Sequence, residues 1–292
     1  MKPTKALAAG LAALLAGALG AGCSPQRLDS FLYDPLRAPP GHYDVSQAVI
    51  PTYEDVFVTS ADGVKIHVAF ISASGAAGAH PDVTMLYFHG QSNDIATTWP
   101  RLELLYPLGV NLAAVDPRGY GMSGGEPSEP GIHADLQAVW DQLPALKGLD
   151  PTKLVIYGRS LGAAFAIDLA AARTPAALIT ESAFASVEAL VRDGAYVDLP
   201  VGFVADSRWD NLAKIPGVAA PYLALHGLAD DYVKYQYSQV LAAAHEVAQP
   251  AFATQLELVA GADHGDLHGP PPTLNARAAG SYVALLAKFL FF

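Results

Sequence analysis

The chain has 292 residues, enough for one large domain with a substantial core. Hydrophobic residues make up 52% of it and charged residues only 15%, which excludes a disordered polymer. The formal charge of −11, with no basic patch along the sequence, argues against a nucleic-acid partner.

The first segment is basic and then apolar: Lys2 and Lys5 precede an Ala/Leu/Gly stretch from Ala6 to Gly22. This is the pattern of a signal peptide over residues 1–22. The stretch is short and glycine-rich for a stable membrane span. Cys23, the sole cysteine, directly follows Gly20-Ala21-Gly22. Small residues ending in a cysteine resemble the lipobox of bacterial lipoproteins, with Gly20 where that motif has leucine. The resemblance implies lipidation at Cys23 and a lipid-anchored protein of the bacterial cell envelope. The alternatives are an ordinary cleaved signal, giving a secreted or periplasmic protein, and an uncleaved anchor. Residues 23–53 are rich in Pro, Asp and Arg and read as a tether, with Phe31, Leu32 and Tyr33 able to pack on the body.

Strands and helices then alternate. Val56–Thr59 and Lys65–Phe70 flank Ala61-Asp62-Gly63 and read as a hairpin. Val83–Phe88 has the apolar pattern of a buried strand. Ile95–Tyr106 reads as a helix if Pro100 sits in its first turns. Val110–Val115, Leu154–Tyr157 and Ala177–Thr180 read as strands, with helices at Gly131–Leu143 and Leu161–Ala172 between them. The stretch Ser186–Pro216 breaks the rhythm, as a small cap or as one irregular crossover helix. Tyr222–Leu225 and Gln255–Val259 are the last strands, each followed by a helix, Tyr235–Val247 and Ala276–Phe291. Residues 54–292 are therefore expected to form one α/β domain, a mostly parallel central sheet with helices on both faces.

The chemistry centres on Gly158-Arg159-Ser160-Leu161-Gly162, between a predicted strand and a predicted helix. A serine flanked by glycines two residues away in that setting has the form of a nucleophile elbow. Its hydroxyl is presented at a helix N-terminus, whose N–H groups stabilise negative charge. A nucleophilic serine needs a base and an orienting acid, in the chain order serine, acid, histidine for this kind of sheet. Asp230 and Asp231 follow the strand Tyr222–Leu225. Asp230 is preferred as the acid, with Asp231 capping the next helix, and Glu181 at another strand end is the outside alternative. His264, in the glycine-flanked loop after Gln255–Val259, is the candidate base, with His268 its competitor. The oxyanion donors are expected to be the backbone N–H groups of Leu161 and Gln91. His89 reads as a packed residue beside the site. The glycines of Asp116–Gly125 lack the placement of a phosphate loop. No His/Cys cluster has ligand spacing, so no metal is implied, and this chemistry needs no cofactor.

The segments Leu86–Gly90, Asp116–Gly125, Tyr157–Gly162, Glu181–Phe184, His226–Asp230 and Gly261–Asp266 together resemble the alpha/beta-hydrolases, and within them the Bem46-like serine hydrolases. The resemblance covers about residues 54–290. It departs at Pro117, where the family usually has tyrosine, and at Gln91, commonly asparagine. It implies Ser160, Asp230 and His264 as a triad. The expected activity is cleavage of an acyl bond, ester or thioester, in a small-molecule or lipid substrate. Peptidase or amidase chemistry and a non-catalytic envelope lipoprotein that binds through the same fold are the rivals.

Overall fold

The computed structural model describes residues 32–39, 41, 43–73, 79–195, 206–265 and 276–291. The expected signal peptide, Cys23, His268 and residues 196–205 of the expected cap lie outside the described residues. One eight-stranded sheet organises the domain. Its strands are β1 (Glu54–Thr59), β2 (Lys65–Ile71), β3 (His80–Phe88), β4 (Val110–Asp116), β5 (Leu154–Arg159), β6 (Ala177–Glu181), β7 (Tyr222–Gly227) and β8 (Thr254–Val259). They lie in the order β1-β2-β4-β3-β5-β6-β7-β8. The pairings of β2 with β1 and with β4 are antiparallel, and all the others are parallel.

A parallel sheet must bury both faces, and the strand sequences do so residue by residue. On β5, Leu154 and Ile156 enter one apolar cluster while Val155 and Tyr157 enter the other. On β3, Leu86 and Phe88 alternate with Met85 and Tyr87 in the same way. The first face is covered by helices α2 (Glu129–Lys147), α3 (Leu161–Ala172) and α6 (Gln236–Ala248), the second by α1 (Ile95–Leu105) and α7 (Ala276–Phe291). Asp94 caps α1 reciprocally with Thr97. Pro100 falls in its second turn, and the helix continues to Leu105. Ser128 caps α2 by accepting from the Gly131 amide, so this helix starts two residues before the predicted one and runs on through Pro144.

The described part of the segment read as a tether is docked on the body. Tyr33, Tyr43 and Ile50 are buried, and aromatic and branched side chains at these intervals supply contacts that a tether lacks. In the segment read as a cap, α4 (Val187–Ala195) and the one-turn α5 (Asn211–Lys214) are described. Between them the fully buried Trp209 ring lies 5.0 Å from that of Phe165 on α3, and its Nε1 donates to the Tyr33 hydroxyl at 2.7 Å. Trp209 thus joins the N-terminal segment to the sheet-covering layer. Trp209→Ala is expected to cost about 3–5 kcal/mol in urea unfolding, as for other buried aromatic truncations. A loss below about 1 kcal/mol would show that this junction contributes little.

Candidate active site

Carboxyl ends of parallel strands are where open α/β sheets gather ligand and catalytic groups. Here β3, β4, β5, β6, β7 and β8 bring His89, Asp116, Ser160, Glu181, Asp230 and His264 to that edge. Ser160 stands between β5 and α3 with φ 54° and ψ −119°, a conformation that non-glycine residues avoid. The crowding around it is specific. A Cβ at Gly158 would run into the Gly162 carbonyl, and one at Gly162 into the carbonyls of Phe88 and His89. The two glycines let α3 start against the ends of β5 and β3, which lifts Ser160 out of the turn. Leu161 is the first residue of α3, so its N–H has no acceptor within the helix.

Three side chains form one hydrogen-bonded line. His264 Nε2 lies 2.9 Å from Ser160 Oγ, and His264 Nδ1 lies 2.8 Å from Asp230 Oδ2. A carboxylate only accepts, so Nδ1 carries the ring proton and Nε2 is left to accept from the serine. Ser160 is 8% exposed, while the His264 side chain is 19% exposed. The hydroxyl and the imidazole are thus sheltered yet partly exposed.

Asp230 is held at every oxygen. Its Oδ1 accepts from the amides of Tyr232 at 3.0 Å and Val233 at 2.7 Å. Its Oδ2 also faces His226 Nε2 at 3.1 Å. That nitrogen faces the Val233 carbonyl as well, at 2.9 Å, so it carries the proton, and Nδ1 accepts from the Ser238 hydroxyl at 2.7 Å. Burial opposes charge on Asp230, but hydrogen bonds from His226, His264 and the Val233 amide outweigh it, and its carboxyl is held well below the usual range. His226 had no assigned role in the sequence. Its position four residues before Asp230 was the available signal.

The other expectations divide. Asp231 does not cap the helix that follows. It is exposed, and α6 begins at Gln236 after Tyr235 with no side-chain cap. The reason is that Asp230 itself tightens the turn by binding the amides of Tyr232 and Val233. Glu181 does not face His264 with its carboxylate. It is fully buried and accepts from Arg101 NH1 at 2.8 Å and Tyr157 Oη at 2.5 Å. Gln91 lies in the loop after β3, and its neighbour Gly90 is close to Ser160: a Cβ on Gly90 would stand 3.5 Å from Ser160 Cβ. The Gln91 side chain accepts from the exposed Tyr232 hydroxyl at 3.2 Å, and the Tyr232 ring sits 5.0 Å from that of His264. This tyrosine therefore links the two sides of the site.

His89 is buried, with Nδ1 2.9 Å from the Gly90 carbonyl and Nε2 3.3 Å from Asp116 Oδ1. Asp116 is the second carboxylate anchor. It accepts from Tyr43 Oη at 2.8 Å and the Ile95 amide at 3.1 Å, and His67 Nδ1 lies 3.1 Å away. Burial again opposes its charge, but the hydrogen bond from His67 and the nearby His89 imidazole overcome this, so its carboxyl also lies well below the usual range. The strand β2, the N-terminal segment, α1 and the loop carrying Gln91 all meet at this one side chain. Among the described residues there is no cluster of His, Cys, Asp and Glu arranged to hold a metal ion, and no helix long and apolar enough to cross a membrane.

No family model matches the chain. It is similar to an uncharacterized protein of Mycobacterium tuberculosis, 33% identical over 235 residues that make up 80% of this chain and 78% of the relative. It is also similar to the alpha/beta hydrolase domain-containing protein WAV2 of Arabidopsis thaliana, 32% identical over 220 residues, 68% of each chain. Among solved structures, an esterase of Pyrococcus furiosus superposes with a TM-score of 0.66 at 22% identity, over 88% of this chain and 98% of its own. That likeness is one of fold.

The depressed carboxyl of Asp116 has a consequence for acid stability. A group whose folded pKa lies below its unfolded value, about 4 for Asp, adds stability in full above that value and loses it as pH falls towards the folded one. Asp116→Asn is expected to cost on the order of 3 kcal/mol at neutral pH and to flatten the stability curve below about pH 5. Chemical denaturation at a series of pH values measures both. An unchanged slope in acid would contradict the assignment.

Proposed function

This chain belongs to the alpha/beta-hydrolase superfamily, and from that premise we propose that it is a serine hydrolase cleaving a carboxylic ester or thioester through an acyl-enzyme. The observation that carries the reading is the line from Ser160 Oγ through His264 to Asp230, at 2.9 and 2.8 Å. In this mechanism His264 Nε2 takes the Ser160 proton as Oγ attacks the acyl carbon. The Leu161 and Gln91 amides receive the oxyanion. The tetrahedral adduct expels the alcohol or thiol, which takes the proton from His264. Water then attacks the acyl-serine, giving its proton to His264, and Ser160 leaves with that proton restored. Asp230 keeps Nδ1 protonated and stabilises the imidazolium.

The six shared motifs support a Bem46-like subfamily. The basic and apolar start of the chain, ending in Gly20-Ala21-Gly22-Cys23, supports lipidation at Cys23 and a place at an envelope membrane. Substrates are then small-molecule or lipid acyl esters met at that surface.

Hydrolysis of a panel of nitrophenyl esters and thioesters tests the reading. Ser160→Ala should lower turnover on the order of 10⁶-fold with the fold intact. Asp230→Asn should cost on the order of 10⁴-fold, and Asp231→Asn little. Full activity in a folded Ser160→Ala protein would overturn the proposal, and reversed aspartate results would move the acid by one residue. For the anchor, Cys23→Ser should release the protein from membranes or leave it unprocessed. Mass spectrometry finding an unmodified mature terminus at another residue would contradict lipidation.

A further inference from the structure

Two guanidinium groups close on the loop that carries His264. Arg159, the residue before the nucleophile, donates from NH2 to the His264 carbonyl at 3.0 Å, and its Nε lies 3.6 Å from Glu181 Oε1. Arg101, from α1, donates from NH1 to Glu181 Oε2 at 2.8 Å and from NH2 to the Gly265 carbonyl at 3.3 Å. Consecutive carbonyls of the loop are thus gripped by two cations that share one carboxylate. Glu181 is fully buried at the end of β6, and its Oε2 also accepts from the hydroxyls of Tyr157 and Tyr282. The loop lies directly on the arginine: a Cβ at Gly265 would stand 3.3 Å from Arg159 NH2. Ser182, at φ 53°, adds a longer contact of 3.4 Å from its hydroxyl to the His264 carbonyl.

Burying the Arg101 guanidinium and the Glu181 carboxylate, with Arg159 half-buried beside them, is a poor way to gain stability, since apolar side chains of similar volume usually serve as well or better. What the charges supply is direction. A planar guanidinium with one edge turned to Glu181 presents its other N–H groups at set angles. The His264 ring must sit within hydrogen-bond reach of both Asp230 and Ser160, and an error of about 1 Å in such a group costs on the order of 10²-fold in rate. No strand pairing holds residues 264 and 265, because β8 ends at Val259.

We propose that Arg159, together with Arg101 and Glu181, is a positioning residue that fixes the His264 loop and so sets where the imidazole stands. The catalytic consequence rests on the serine-hydrolase reading, whereas the ordering of the loop does not.

Two measurements on the full chain separate these. Hydrogen exchange read by mass spectrometry should show Arg159→Gln raising amide exchange in the peptide carrying His264, with β5, β6 and β7 unchanged. Ester hydrolysis should fall about 10–100-fold in kcat, with KM within about twofold. Arg159→Lys, which keeps the charge but loses the fork, should recover only part of this. In a His264→Ala background the same change should cost nothing further, because Arg159 acts through that histidine. Unchanged exchange around His264, or the same fold-loss in both backgrounds, would overturn the proposal. If Arg159→Gln loses its thermal transition, Arg159→Lys takes its place in the cycle. If wild-type hydrolysis proves independent of Ser160, the parent reading fails while the exchange result still decides the loop.

Discussion

Between β5 and α3 the chain turns through a space that the carbonyls of Phe88, His89 and Gly162 already fill. Only residues without a Cβ fit at positions 158 and 162, and the residue between is pushed to φ 54°. Backbone strain of this kind costs about 1–3 kcal/mol and persists only where the surroundings enforce it. Here the surroundings are the sheet itself. The Ser160 amide donates to the Glu181 carbonyl on β6 at 2.8 Å, and the helix that follows is buried from Leu161 to Ala170. A hydroxyl raised in this way meets the His264 imidazole, carried by the loop after β8, at 2.9 Å.

Around that turn the site is organised by carboxylates whose charge is opposed by burial and rescued by hydrogen bonds. Asp230 serves the His264 side, and Asp116 the side that carries His89 and Gln91. Each takes partners from elements far apart in sequence, so each is both an electrostatic and a topological joint. Glu181 is the third, and its partners are guanidiniums and phenols instead of imidazoles. The Tyr232–Gln91 contact bridges the outer side of the same opening.

Much of the scaffold was legible because its signals are local. Apolar alternation marks both buried faces of β3 and β5, and glycines spaced two residues either side of a serine are themselves a packing signature. The chain order of Ser160, Asp230 and His264 could be read because each follows a strand. What could not be read depends on side chains meeting across the fold. Nothing near Arg101 in the sequence points to Glu181, 80 residues away, and Glu181 was read as a possible acid because strand ends look alike. Asp231 was assigned as a cap because sequence spacing does not show that the Asp230 carboxylate takes the amides of Tyr232 and Val233. Tyr33 and Tyr43 stand in a proline-rich run that resembles a tether until their buried partners, Trp209 and Asp116, are known.

The central claim is that Ser160 is the activated nucleophile. Treating the full chain with a fluorophosphonate and mapping the adduct by peptide mass spectrometry tests it most directly. The account predicts a single phosphonyl group on Ser160, abolished in His264→Ala. An unreacted protein, or an adduct on any other residue, would contradict it.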